Sequence, residues 1–180
     1  KPFSNNDFFA LLKFLQTPAP SDQAELAFHS LKNDILSFLI ETEMQPELLG
    51  QEMITSLADT SQHIVWREYI AQYIPTMHDK LQSDSDLKES LIDNLWQATH
   101  EQQDAIAGTS LMSLHAISQK AADFDQNELD QLIQEIAFDE QTDPASRMGA
   151  ISLLKQRKIT VEPQVLMELS KDQSQSIMLR

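Results

Sequence analysis

His78-Asp79 is the pairing in this chain whose residue types suit metal chemistry, since an adjacent imidazole and carboxylate can share a divalent ion. Such an ion needs further ligands. His29 or His63 and Asp123 can be nominated, but no spacing in the sequence selects them. A second candidate, Asp123-Phe124-Asp125-Gln126-Asn127, matches the opening of a calcium loop. That loop requires Gly at its sixth place and a bidentate acid at its twelfth, where this chain has Glu128 and Gln134. The stretch therefore reads as a helix N-terminus with Asn127 as cap and acids favoured by the helix dipole. His100-Glu101-Gln102-Gln103 begins like the zinc-binding H-E-x-x-H but lacks the second histidine. These residues assign no catalytic group, no metal ligand and no cofactor site.

Other side chains bear on recognition. Trp66, Tyr69 and Tyr73 adjoin on one predicted helix; Trp66 and Tyr73 share its apolar stripe, which leaves Tyr69 as the aromatic available to a partner. Glu41, Glu43, Glu47 and Glu52 flank one inter-helix turn and read as a solvated edge; as a patch they imply a basic protein or peptide partner. Arg67 and Arg147 read as structural, each pairing with a loop carboxylate between adjacent repeats.

The elements that must position these groups are helical. Three glycines in 180 residues are too few for the tight turns of sheet proteins or for phosphate-cradling loops. A formal net charge of −15 disfavours nucleic acid and anionic membranes, which need clustered Lys and Arg. The one compact basic group, Lys155, Arg157 and Lys158, falls at a predicted helix C-terminus, where cations offset the macrodipole. Without cysteine there are no disulfides or thiolate metal sites, and either the cytoplasm or an exported location is compatible. No apolar run reaches the ~20 residues of a membrane span. The chain begins at Lys1, and Ser174 to Arg180 reads as the opening of a helix, so a longer parent chain is expected.

Apolar periodicity predicts helix pairs at about 7–42, 46–82, 85–121, 127–158 and 162–180, the last cut short. In the second helix of the chain the inward stripe is Ala24, Phe28, Leu31, Ile35, Phe38 and Leu39. In the third it is Leu48, Leu49, Met53, Ile54 and Leu57. The stripe of the fourth runs through Pro75, which predicts one kinked helix there. The odd-numbered helices start near 7, 46, 85, 127 and 162 and the even ones near 22, 61, 103, 144 and 173. A hairpin recurring every ~40 residues is the mark of an α-solenoid. The second helices align: Arg67 to Tyr73 stands against Gly108 to Leu114 and against Arg147 to Leu153, at offsets of 41 and 39.

The run Asp143-Pro144-Ala145-Ser146-Arg147, with Ala150 and Leu153-Leu154, opens with a cap and an N1 proline and resembles the second helix of a HEAT-type repeat. Asp59 with Arg67 is a looser match, and Gly108 stands where the sixth helix would carry the basic residue. The resemblance implies an all-α, right-handed superhelix of about four and a half antiparallel helix pairs, forming one domain over 1–180 that is a non-catalytic scaffold for protein–protein interaction. One alternative is a metal-dependent all-helical phosphohydrolase of the HD type centred on His78 and Asp79, which requires those residues to converge with another histidine. The other is a structural spacer.

Overall fold

Leucine-rich stripes, abundant Glu, Gln and Ala, and scarce glycine all favour helix, and helix is what forms. The structure is a computed structural model that describes residues 2–20, 25–82, 85–101, 103–122, 124–161, 163 and 167. Its α-helices are α1 (Asn5–Leu15), α2 (Glu25–Thr42), α3 (Pro46–Ala58), α4 (Ile64–Lys80), α5 (Asp86–Ala98), α6 (Ile106–Ser118), α7 (Gln126–Phe138) and α8 (Pro144–Arg157). Among the described residues there is no strand, and no helix is long and apolar enough to cross a membrane. The expected all-α class is observed. The ninth and tenth helices expected from about 162 lie almost wholly outside the described residues.

Capping chemistry sets where the helices begin. Ser4 and Asp7 form a reciprocal capping box at the start of α1. Asp143 Oδ1 accepts from the Ala145 and Ser146 N–H groups at 2.9 and 3.1 Å, and Pro144 occupies the first helical position, as its sequence predicts. For α7 the cap is Asp125, which accepts from Asn127 and Glu128, and not Asn127 itself. Both are Asx residues two apart; only the backbone, extended at Asp125, decides which one caps. Asp125 thereby spends its Oδ1 on the helix start.

The chain divides into two compact units, Lys1–Asn94 and Leu95–Arg180, with the boundary inside α5. In the first unit α4 packs on α2 and α3, and α1 on α2. Phe8, Leu15, Leu36, Leu39, Leu49, Met53, Leu57, Trp66, Ile70, Ile74 and Met77 are buried there. Burying each such side chain contributes about 1.5–3 kcal/mol. As expected, α4 continues through Pro75 as one helix. The inward face of α2 departs from expectation. It carries His29, Lys32, Leu36, Leu39 and Ile40, while Leu31 and Phe38 are exposed and Phe28 and Ile35 half-buried. Leu48 of α3 is exposed too.

In the second unit α8 packs against both α6 and α7. Gly108 permits the α6–α8 approach: a Cβ there would stand 2.6 Å from the Ser146 Cα. The contact also repairs a helix end. Ala105 precedes α6 without a side-chain cap, so Ser146 Oγ accepts from the Gly108 N–H at 2.9 Å and donates to the Asp104 carbonyl at 3.1 Å.

A regularity joins the two units without reference to their placement. α3, α5 and α7 begin at Pro46, Asp86 and Gln126, 40 residues apart each time, and each has 13 residues. The buried Arg67 donates from Nε to the Leu57 carbonyl at 2.8 Å, and the buried Arg147 donates from Nε to the Ala137 carbonyl at 3.4 Å. Asp59 and Asp139 close the corresponding turns, accepting from the N–H groups of Ser61 and Gln141. Those Ser61 contacts and one from Gln62 hold the Asp59 carboxyl below its usual range, with the Arg67 charge a smaller cause. The Nε bonds of both arginines thus run to main-chain carbonyls within their own hairpins.

Candidate functional site

In the first unit, the face of α2 turned toward α4 carries an unusual set of polar groups. Glu25 and His29 are one turn apart, and Lys32 follows one turn later. His63, the N-cap of α4, accepts from the Val65 N–H through Nδ1 at 3.2 Å and turns Nε2 toward Glu25 Oε1, 3.7 Å away. Its ring stacks on that of His29, with centroids 4.5 Å apart and planes at 25°. His29 is 2% exposed, and neither ring nitrogen has a hydrogen-bond partner. Burial, the neighbouring His63 and Lys32 lower its pKa, against a smaller opposing effect of Glu25, so the ring is neutral at pH 7.

Lys32 is fully buried and its Nζ has no hydrogen-bond partner. The ammonium position lies 5.0 Å from the Trp66 ring centroid and 5.4 Å from that of Phe28. Burial brings its pKa down to about 8, with Glu52 opposing. This is a desolvated amine held between aromatic faces.

Glu25, His29 and His63 each offer a ligand atom within 4.8 Å of the others, and among the described residues no other group of three or more His, Asp or Glu side chains comes this close. His78 and Asp79 do not join it. They lie at the other end of α4, about 22 Å along the helix axis from His63. Asp123 lies outside the described residues. The convergence required by an HD-type centre on His78 is therefore not formed by the described residues.

Two of the four acids of the first unit's acidic group, Glu43 and Glu52, are engaged. Glu43, in a left-handed backbone conformation at φ 53°, binds Lys80, whose hydrogen bond lowers the Glu43 pKa. Glu52 accepts from Gln16 Nε2 at 2.7 Å and Ser56 Oγ at 2.9 Å. Glu41 and Glu47 are exposed, and Tyr69 is half-buried like Tyr73.

In the second unit, an open and mainly apolar cleft of about 630 Å³ runs along α8, lined by Met112, Asp143, Pro144, Ala145, Met148, Gly149 and Ser152. Gly149 creates part of this space, because a Cβ there would touch nothing within 4 Å. Met112 is 40% exposed on α6 and Met148 half-buried on α8. At the C-terminal end of α8, Arg157 ties the elements together: it donates to Asp130 at 2.6 Å, Ser118 Oγ at 3.2 Å and Gln126 Oε1 at 2.9 Å. Its guanidinium also lies 3.3 Å from His115 Nδ1, and burial followed by that charge lowers the His115 pKa. The most central cation of the expected basic group is thus an internal tie, while Lys155 and Lys158 are exposed at the C-terminal end of α8.

Sequence reasoning named His29 and His63 but gave no reason to pair them, and it missed Glu25 and Lys32. The available signal was the i, i+4, i+7 spacing of Glu25, His29 and Lys32, which coincides with the buried stripe. No protein-family description, no curated protein and no solved structure matches this chain.

Proposed function

We propose that this chain is a non-catalytic, HEAT-like helical scaffold that holds an extended segment of a protein partner in the cleft along α8. The observation that carries the reading is the cleft itself, apolar and open between Met112, Pro144 and Met148, with a glycine leaving space on the helix surface. Methionine-lined surfaces repack around different apolar side chains, which suits peptide recognition. Asp143 at the rim and the net charge of −15 favour a segment with basic residues beside an apolar anchor. A solenoid built from hairpin repeats is supported by the 40-residue spacing of α3, α5 and α7 and by the matched bonds of Arg67 and Arg147.

The test is selection from a displayed library of random peptides. Peptides combining Lys or Arg with a large apolar residue should be enriched, and Met148→Lys, which places a like charge in the cleft, should abolish their binding. Enrichment of peptides that bind Met148→Lys equally well, or no enrichment, would overturn the assignment.

A further inference from the structure

We infer that Glu25, His29 and His63 form a binding site for a divalent transition-metal ion of the zinc class. It lies in the first unit and is independent of the cleft along α8. Helical spacing puts Glu25 and His29 on one face of α2, one turn apart, and the start of α4 brings His63 against them. Their ligand atoms lie within 4.8 Å of one another. Four-coordinate zinc with nitrogen and oxygen donors at about 2.0–2.1 Å needs those atoms roughly 3.4 Å apart, so each moves by less than about 1 Å. An imidazole binds a metal in its own ring plane, so the two rings, stacked at 25°, also turn out of the stack to share the ion.

The second observation is the state of His29. A buried imidazole with two unpartnered nitrogens leaves polar atoms uncompensated, and a metal bond satisfies one of them. Two imidazoles and one carboxylate suit zinc and its transition-metal neighbours, whereas calcium and magnesium prefer all-oxygen sets. Three protein ligands leave the fourth position for water or for an external donor. The charged groups facing the site are Glu25, which attracts the ion, and Lys32, which opposes it; Glu52 in turn faces Lys32.

His63 gives the proposal a distinctive test. Its Nδ1 caps α4 through the Val65 N–H, so coordination by Nε2 moves the ring proton to Nδ1 and gives up that cap. Asn caps a helix without offering an imidazole, so His63→Asn removes the ligand and keeps the helix start. The experiment is a titration of the untagged, chelator-stripped chain with Co²⁺, followed by displacement with Zn²⁺. One equivalent of Co²⁺ should give the intense visible absorption of a four-coordinate ion and be displaced by Zn²⁺. His63→Asn and Glu25→Gln should each weaken binding by about tenfold or more, with the circular dichroism of the stripped chain unchanged, and His78→Asn should leave binding as it was. No visible band at one equivalent, or a band that survives in both His63→Asn and Glu25→Gln, would overturn the site.

Discussion

Replacing Lys32 by methionine should stabilise this protein at neutral pH, and the size of the gain follows from the burial of its amine. Lys32 is fully buried, and its pKa lies near 8 against an ordinary 10.5. That difference corresponds to about 3 kcal/mol spent at pH 7 on keeping a cation away from water. The Trp66 and Phe28 faces return about 0.5–2 kcal/mol of attraction that methionine loses. Methionine fills a similar volume and adapts its rotamer, so Lys32→Met should gain about 1–3 kcal/mol. The pH dependence carries the sign. Below pH 8 the amine is charged in both folded and unfolded chains, and the wild type bears the whole penalty. Between pH 8 and 10.5 the folded chain has released the proton that the unfolded chain still holds, so wild-type stability climbs toward that of the variant. Urea unfolding of both proteins at pH 7 and pH 10.5, read by Trp66 fluorescence in a Trp96→Phe background, measures the gap at each pH. A gap that closes at high pH is expected. A wild type more stable than the variant at pH 7, or a gap equal at both pH values, would refute the reasoning.

Further expectations concern the helix contacts and the histidines. Gly108→Ala should destabilise by about 1–3 kcal/mol, despite alanine's better helix propensity, because its methyl meets the backbone of Ser146; thermal melts will show it. Ser146→Ala removes the borrowed cap of α6 and should cost about 1 kcal/mol in the same assay, with faster amide exchange at Gly108. Arg67→Met and Arg147→Met should cost similar amounts, about 1.5–3 kcal/mol each, if the two hairpins are equivalent; a large loss from one alone contradicts that equivalence. The lowered pKa of His115 means that the unfolded chain binds its proton first, so stability present at pH 7.5 should fall as pH drops below about 6.5. His115→Gln should flatten the part of that decline between pH 7 and 5.5, as followed by melts.

What the sequence made legible was local chemistry. The Asp143-Pro144 start of α8, the passage of α4 through Pro75 and the positions of Arg67 and Arg147 on second helices depend on neighbours a few residues away. The inward face of α2 was not legible, because its apolar and buried stripes are rotated by one residue. Leu31 and Phe38 follow helical spacing as well as Lys32 and Leu39 do, and hydrophobicity selects the wrong set when tertiary contacts bury His29 and Lys32. The Glu25, His29 and His63 group was hidden for the same reason, with one member brought in by a different helix. The cleft along α8 was equally silent, since it arises from the packing of Met112 beside α8 and from the missing side chain of Gly149.

The most direct test of the scaffold reading is a methyl NMR titration of the ¹³C-methionine-labelled chain with a basic, apolar-anchored peptide. The Met112 and Met148 methyl signals should move together and saturably, while those of Met53 and Met77, buried in the first unit, stay in place. Saturable shifts at Met53 and Met77 with Met112 and Met148 unmoved, or no shift at any methyl, would contradict it.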